Sequence, residues 1–346
     1  MEYASLCIDQ SRTIKEALRQ LDSVDQKVLF VLEDGRVIGS LTDGDVRRYL
    51  LRGGSVEDAA VLAAKRSPKT ARTRKQARTL LKKEGLLAVP VVRESGELLD
   101  IVADLETPAP ALPELHIPVV IMAGGKGTRL DPYTRVLPKP LIPVGDLPII
   151  EHIMCQFQQY ACGEFHIVVN YKKQLLKAYF SENEKPYQVS WYDEDQPLGT
   201  GGGLCLLKGT MKETFFFTNC DILLRSDYAD MLSFHRKSGN AITMIGAYKS
   251  LTLPYGVVET GDGGVIREIR EKPELSFLTN TGMYIVEPEV LEDVEDNVSI
   301  GFPDIIERQR EKGRRVAVYP VREDEWLDMG QITELEKMRK RLYGEE

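Results

Sequence analysis

The sequence VVIMAGGKGTRL, at Val119–Leu130, is the most informative segment of the chain. An apolar run ends abruptly in glycines, a lysine, a threonine and an arginine. Such a run is typical of a strand buried on both faces, and glycines let the backbone that follows present successive N–H groups to an anion. Lys126 and Arg129 add positive charge beside those donors. The stretch therefore predicts a buried strand that opens into a cradle for a triphosphate.

Two other glycine-rich phosphate loops are excluded by spacing. A Walker loop needs GxxxxGK[ST], which does not occur in this chain. A dinucleotide-binding loop opens a helix with GxGxxG, whereas Asp131–Thr134 (DPYT) follows at once and Pro132 interrupts a helix. A glycine-rich turn with incidental charges is disfavoured by the two cations and by the PKP sequence at 138–140.

Further apolar runs recur downstream and alternate with helical stretches. The runs are typical of strands covered on both faces, so they predict a mostly parallel sheet in an α/β fold. The predicted strands are Pro118–Ala123, Phe165–Asn170, Thr214–Thr218 and Ala241–Ala247, and the predicted helices are Ile149–Tyr160, Gln174–Phe180 and Gln331–Leu342.

The N-terminal part contains two copies of one pattern. Lys27–Ser40 and Leu86–Val102 each read as strand, polar turn and strand, and each follows a stretch with helical periodicity. Two copies predict one pseudo-symmetric module. The proline-rich sequence TPAPALPELHIP then predicts a linker. We therefore expect a first domain at 1–106, a linker at 107–117 and a second domain at 118–346.

Composition restricts the class of function. The chain of 346 residues has a formal net charge of -8, which argues against nucleic acid as the main partner. No apolar run reaches the roughly 18 residues that span a bilayer, and the N-terminus has no secretory pattern. The five cysteines form no CxxC pair, which disfavours structural zinc and predicts reduced thiols in the cytoplasm.

The order of several short motifs resembles that of the nucleotide-sugar pyrophosphorylases, also called sugar-1-phosphate nucleotidyltransferases. GGKGTRL is followed by LPKPLIPVGDLPII, and the resemblance extends from about Ile117 to Tyr343. The later motifs are PLGTGG at 197–202, NCD at 219–221, PYGV at 254–257, EKP at 271–273, NTGMY at 280–284 and WLDMG at 326–330. The resemblance implies a Rossmann-like mixed α/β sheet with the active site at the strand ends.

The implied reaction joins a nucleoside triphosphate to a sugar 1-phosphate and releases pyrophosphate. The attacking phosphate oxygen is already an anion, so the site must supply cations and a metal rather than a general base. The resemblance assigns catalysis to Arg129, Lys139 and Asp221, and Mg²⁺ to Asp221 and Asp328. It assigns nucleotide binding to Ala123, Gly124, Gly125, Lys126, Gly127, Thr128, Arg129, Glu194 and Gly199, and sugar-phosphate binding to Gly256, Glu271, Lys272 and Asn280.

Structural explanations remain open for several of these residues. Lys139 can be a solvated lysine, Asp221 a helix N-cap, and Asp328 a solvated loop acid. Glu271 and Lys272 can form an exposed ion pair of little energetic value, and Gly256 can be a turn residue.

Glu194 carries the prediction of the base. By resemblance, the side chain five residues before Gly199 faces the base, and relatives specific for pyrimidines tend to have glutamine there. A carboxylate only accepts hydrogen bonds. Guanine offers two adjacent donors, N1–H and N2–H, whereas uracil presents one N–H between two carbonyls. The stretch EDQPLGTGG therefore favours GTP, although Asp193 and Asp195 flank the position and leave its register open.

The sequence VIGSLTDGDVRR at 37–48 resembles the ligand-binding strand and helix start of CBS domains. The resemblance implies a nucleotide with adenine or guanine, contacted by Thr42, Asp43, Asp45 and Arg48. The second copy, IVADLE at 101–106, lacks the TDGD run, so at most one competent site is expected. Alternatively, Thr42 and Asp43 merely cap a helix. CBS pairs usually associate, which implies a homo-oligomer.

A CBS pair joined to a compact transferase domain resembles the bacterial glucosamine-1-phosphate guanylyltransferases of legionaminic acid biosynthesis. We therefore expect GTP and glucosamine 1-phosphate as substrates. Mannose 1-phosphate, or another hexose 1-phosphate with a uridylyl or thymidylyl donor, is the nearest alternative. A non-catalytic, nucleotide-sensing protein is an alternative of another class. Molybdopterin guanylyl- and cytidylyltransferases share a glycine-rich loop but lack the EKP, NTG and WLDMG motifs.

Overall fold

A computed structural model describes residues 3–24, 26–103, 112–182 and 185–343. The chain forms two compact units, Met1–Pro110 and Ala111–Glu346. The predicted linker at 107–117 lies in part outside the described residues, which resume at 112. None of the helices in these four ranges is long and apolar enough to cross a membrane.

The N-terminal unit combines a four-stranded sheet, in the order β1-β2-β3-β4, with the hairpin β5–β6. It begins with a short 3-10 helix, Tyr3–Leu6. Its elements are β1 (Cys7–Asp9), α1 (Ile14–Ser23), β2 (Val28–Glu33), β3 (Arg36–Thr42), α2 (Asp43–Leu50), α3 (Ala60–Ala63), β4 (Lys65–Arg66), α4 (Arg74–Glu84), β5 (Ala88–Val92) and β6 (Leu98–Ala103).

The two predicted copies bond to each other through their turns. The Val37 N–H donates to the Gly96 carbonyl at 3.1 Å, and the Leu98 N–H donates to the Gly35 carbonyl at 2.9 Å. Both turn glycines have positive φ, +77° and +85°, which few other residues adopt without strain. Reciprocal bonds between equivalent positions are the pattern that an internal two-fold repeat produces.

The C-terminal unit alternates strands and helices. Its elements are β7 (Val119–Met122), α5 (Tyr133–Val136), β8 (Pro143–Val144), β9 (Leu147–Pro148), α6 (Ile149–Gln158), β10 (Glu164–Val169), α7 (Lys173–Ser181), β11 (Gln188–Asp193), α8 (Gly199–Gly202), β12 (Phe215–Asn219), β13 (Ile222–Leu224), α9 (Tyr228–Ser238), β14 (Ile242–Thr252), β15 (Val257–Thr260), β16 (Ile266–Arg270), β17 (Glu274–Val286), α10 (Phe302–Glu311), β18 (Val316–Val321), β19 (Trp326–Asp328) and α11 (Ile332–Tyr343). Short 3-10 helices lie at Thr128–Leu130, Lys139–Leu141, Gly203–Leu207, Asp262–Gly264 and Pro288–Asp293.

Seven strands form one mixed sheet, in the order β11-β10-β7-β12-β17-β14-β18. β17 runs antiparallel to both of its neighbours, β12 and β14, and the other pairings are parallel. Val119, Val120 and Ile121 of β7 are fully buried, and a cluster of apolar side chains packs on each face of the sheet. The predicted mixed-sheet α/β fold is confirmed.

The order of the strands determines where the sheet opens a crevice. From β7 the chain moves outward to β10 and β11 and then returns to β12 on the other side of β7. The loops after β7 and β12 therefore diverge and leave a crevice at their carboxyl ends, where open α/β sheets bind ligands. The glycine-rich loop follows β7, and Asp221 follows β12.

Candidate active site

A cavity of about 400 Å³ lies at this crevice. It brings together nine residues that the sequence predicted: Gly124, Gly125, Gly127, Thr128, Arg129, Lys139, Glu194, Gly199 and Asp221. The rest of the lining was not predicted: Met122, Pro197, Thr200, Asn219, Cys220 and Gly330. Ala123, Lys126 and Asp328 are near neighbours in sequence of this lining but are not part of it.

Position 127 of the loop requires a glycine. Its φ is +63°, and a Cβ atom at this position would lie 3.0 Å from Cγ2 of Thr134 and 3.1 Å from Cβ of Lys139. The Thr134 hydroxyl donates to the Gly127 carbonyl at 3.1 Å. Any larger residue would therefore strain the backbone and displace Lys139. The loop is held in place before a ligand arrives.

Two exposed cations stand on this loop. Lys126 and Arg129 have no carboxylate within ion-pair distance anywhere in the described part of the chain. An arginine and a lysine that make no internal ion pair are free to contact phosphate oxygens, Arg129 through its planar fork and Lys126 as a point charge.

Lys139 is a buried cation, not a solvated one. It is 8% exposed, lies in the 3-10 helix Lys139–Leu141 and is framed by Pro138 and Pro140. Its ammonium forms an ion pair with the carboxylate of Asp221. A buried charge persists only with a partner of opposite charge, so Lys139 is directed into the cavity together with Asp221.

Asp221 and Asp328 converge because two short strands pair. β13 and β19 are antiparallel, with Ile222 opposite Asp328, and the Met329 N–H donates to the Asp221 carbonyl at 2.8 Å. Burial, followed by the negative charge of Asp221, raises the pKa of Asp328 above its usual value. Lys139, the Gly330 N–H and Arg129 act in the opposite direction and only partly offset this rise. A strand follows Asp221, so the alternative that it caps a helix is wrong. Asp328 lies in β19 and is only partly exposed, so it is not a fully solvated loop acid.

This pair of carboxylates fits Mg²⁺ by its chemistry. Both supply oxygen donors, and each raises the energy of the other's negative charge, which a cation would relieve. Among the described residues no group of three or more histidines, cysteines and acids could hold a metal alone. Mg²⁺ commonly takes one or two carboxylates and completes its shell with water and substrate phosphates, so two acids suffice.

Glu194 also lines the cavity, and hydrogen bonds fix its main chain. Its N–H donates to the Val169 carbonyl at 2.9 Å, and its carbonyl accepts from Nδ2 of Asn170 at 3.1 Å. The residue is 4% exposed, and its Oε1 atom has no hydrogen-bond partner in the described structure. Burial raises the pKa of Glu194 to about 7, although the Leu198 N–H acts in the opposite direction. Buried acceptors without a donor are rare.

The predicted sugar-phosphate residues lie outside the cavity lining. None of Gly256, Glu271, Lys272 and Asn280 belongs to the cavity lining described above. Gly256 adjoins Glu271, whose Oε2 would lie 2.8 Å from a Cβ at Gly256. Glu271 and Lys272 are exposed and form no ion pair with each other in the described ranges.

One of these residues, Asn280 in β17, connects to the cavity through its own strand. The Asn280 amide donates to the Tyr284 hydroxyl at 2.7 Å and accepts from the Gly282 N–H at 3.0 Å. Gly282, with φ +86°, backs onto Asn219: a Cβ there would lie 2.5 Å from Asn219 Nδ2. Asn219 lines the cavity. Its position, two residues before Asp221 in the NCD motif, is the signal that could have found it.

In the N-terminal unit the predicted ligand residues bond to one another. Thr42 is the N-cap of α2, and its hydroxyl and the carboxylate of Asp45 form a capping box. Asp45 also pairs with Arg48, and Asp43 pairs with Arg47 at 2.8 Å. The structure thus places Thr42, Asp43 and Asp45 at the start of α2 and Arg48 in its last turn. Their contact with a nucleotide remains a prediction.

The fold and the cavity define an α/β protein with a crevice at the carboxyl ends of its strands, lined by glycines, cations and carboxylates. Residues 118–343 match the family model described as nucleotidyl transferase, and residues 1–52 match the CBS domain model. The chain belongs to the nucleotidyl transferase family and carries a CBS domain at its N-terminus.

The relatives of this chain are sugar-1-phosphate nucleotidyltransferases. A mannose-1-phosphate guanyltransferase of Pichia angusta is 31% identical over 226 residues, which are 61% of this chain and 60% of that protein. A UTP--glucose-1-phosphate uridylyltransferase of Synechocystis sp. is 30% identical over 62% of this chain and 60% of that protein. The chain therefore spans about 60% of the length of these curated relatives.

Solved structures share the fold. HddC from Yersinia pseudotuberculosis aligns with a TM-score of 0.52 and 21% identity, over 65% of this chain and 99% of that one.

Proposed function

We propose that this chain is a sugar-1-phosphate guanylyltransferase, which transfers GMP from GTP to a hexose 1-phosphate and releases pyrophosphate. The observation that carries the choice of GTP is the buried Glu194 carboxylate with its partnerless Oε1. The relationship to a mannose-1-phosphate guanyltransferase supports the same choice.

The carboxylate matches guanine and not a pyrimidine. When ionised it only accepts, so it can take the adjacent N1–H and N2–H of guanine as a bidentate pair. Facing uracil or thymine, the same oxygens would meet a carbonyl on each side of one N–H. A site that leaves a buried group unpaired discriminates strongly against the wrong ligand.

The remaining residues supply the charge that the reaction needs. An oxygen of the sugar phosphate attacks the α-phosphorus, the bond to the β-phosphate oxygen breaks, and pyrophosphate leaves with that electron pair. Arg129 and Lys126 would hold the triphosphate, and Lys139 would lie between the two anionic substrates. Mg²⁺, held by Asp221 and Asp328, would add neutralising charge when bound.

We propose glucosamine 1-phosphate as the sugar substrate. Glucosamine 1-phosphate, as a precursor for legionaminic acid, rests on the combination of a CBS domain with a compact transferase. Mannose 1-phosphate is the second candidate, favoured by the curated relatives. In either case Gly256, Glu271, Lys272 and Asn280 would bind the sugar phosphate.

The proposal also covers regulation and setting. The CBS unit would bind an adenine or guanine nucleotide at Thr42, Asp43, Asp45 and Arg48, and CBS units would associate in a homo-oligomer. A cytoplasmic location is supported by the five cysteines, which are all free.

Replacing Glu194 tests the choice of base. Glu194→Gln keeps the size of the side chain but adds an N–H donor, so it should lower kcat/KM for GTP about 100-fold and raise turnover of UTP or dTTP relative to GTP. The measurement is pyrophosphate release with each triphosphate. Asp193→Asn is the matched control, since Asp193 pairs with Lys177 and Lys173. Unchanged GTP preference in Glu194→Gln would show that another residue reads the base.

The pH dependence of KM for GTP, measured for the unsubstituted chain and for Glu194→Gln, tests the same assignment independently. Only the ionised carboxylate accepts both donors of guanine, and the pKa of Glu194 is about 7. GTP binding should therefore strengthen as pH rises through 7, and KM for GTP should increase up to about tenfold per unit below it. The ratio of wild-type KM to Glu194→Gln KM cancels titration of the substrates themselves.

A further inference from the structure

The carboxylate of Glu194 lies between two glycines. A Cβ atom at Gly124 would stand 2.7 Å from Oε2, and a Cβ atom at Gly203 would stand 2.5 Å from Oε1. Real Cβ atoms do not approach another atom that closely, so the carboxylate occupies space that a side chain at either position would need. Gly124 belongs to the phosphate loop, but Gly203 has no such role.

The backbone does not require glycine at 203. Its φ and ψ are -60° and -16°, which are ordinary right-handed helical values, and glycine is less favourable than alanine in such a conformation. Thirteen other glycines of the described residues have positive φ, and Gly203 is not one of them. The reason for glycine at 203 is therefore space, and the nearest occupant of that space is the Glu194 carboxylate, followed by Val168 and Met122.

Two further side chains lie close to the same position. A Cβ at Gly203 would also meet Cγ1 of Val168 at 2.8 Å and Cε of Met122 at 2.9 Å. Val168 is fully buried in the central sheet, and the main chain of Glu194 is fixed on both sides by hydrogen bonds to Val169 and Asn170. A methyl group at 203 would have to push the flexible side chain of Glu194 away from its present position.

We propose that Gly203 is a positioning residue for base specificity: its missing side chain lets Glu194 place its carboxylate where a purine with adjacent N–H donors is recognised. Gly203 does not line the cavity, so it acts through Glu194 and touches no ligand itself. The inference rests on the proposed guanylyl transfer and adds the residue that shapes the pocket.

A double-mutant cycle tests the inference. Gly203→Ala should lower kcat/KM for GTP about 10- to 100-fold and change kcat/KM for UTP less than about threefold. In the Glu194→Ala background the contact with the carboxylate is absent, whereas the contacts with Val168 and Met122 are the same in both backgrounds. Gly203→Ala should therefore lower kcat/KM for GTP at least about threefold less in that background, because effects of coupled residues do not add. Thermal midpoints of the four proteins report the effect of the Val168 and Met122 contacts on folding.

Gly163→Ala is the matched control, because a Cβ at Gly163 meets no atom within 4 Å. Equal losses for GTP and UTP, or the same loss in both backgrounds, would overturn the role of Gly203 while leaving GTP preference standing. Preference of the unsubstituted chain for UTP or dTTP would instead contradict the proposed function.

Discussion

Asp221→Asn is expected to lower kcat for pyrophosphate release at least about 1,000-fold. The substitution keeps shape but removes a charge that has two partners: Lys139, with which Asp221 forms an ion pair, and the proposed Mg²⁺. Removal of one preorganised electrostatic group commonly costs about 100- to 1,000-fold, and loss of a metal ligand adds to that cost. The Mg²⁺ concentration for half-maximal rate should rise as well.

Two comparisons separate this effect from loss of structure. Asp146→Asn changes an exposed acid and should leave kcat unchanged. The thermal midpoint of Asp221→Asn should fall, because Lys139 remains buried without its partner, yet the protein should still be folded at the assay temperature. A folded Asp221→Asn protein with ordinary turnover and ordinary Mg²⁺ dependence would remove Asp221 from the site.

Lys139→Met should lower kcat/KM about 100- to 1,000-fold. Lys139 is the buried cation of the cavity, and methionine matches its apolar stem but not its charge. Two anionic substrates would then meet without the cation between them, and Asp221 and Asp328 would lose a favourable charge. Lys139→Arg should fail to restore activity, since a planar guanidinium does not fit the space of a buried ammonium.

Lys212→Met is a suitable control for this experiment because Lys212 is exposed. Turnover of Lys139→Met within about threefold of the unsubstituted chain would show that its charge is structural. The effect on binding and the effect on chemistry can be separated by KM for each substrate, because a transition-state role lowers kcat and kcat/KM together.

The central sheet could be predicted because its strands are buried on both faces. Predicted strands at 118–123, 165–170 and 214–218 match β7, β10 and β12 to within one residue at every boundary. The predicted strand at 241–247 continues to Thr252 in β14. Beyond residue 247 the strand pairs with β17 away from the core and its side chains become partly or fully exposed, so no apolar run marks it.

The phosphate loop was predictable for the same local reason: glycines, cations and a preceding strand stand within one short stretch. The convergence of Asp221 and Asp328 was not derivable from spacing, because it depends on the pairing of two three-residue strands far apart in the chain. Only the resemblance to a known family predicted that Asp221 and Asp328 lie in one site. The contact of Gly203 with Glu194 depends on side-chain placement in three dimensions, which no periodicity records.

The most direct test of guanylyl transfer is a grid of Mg²⁺-dependent pyrophosphate release by the full chain. Its axes are GTP, UTP, CTP, dTTP and ATP against the 1-phosphates of glucosamine, mannose, glucose and N-acetylglucosamine. We expect strong release with GTP, highest with glucosamine 1-phosphate. Release confined to UTP or dTTP would contradict the assignment of the base to Glu194, and a grid without release would contradict the proposed reaction itself.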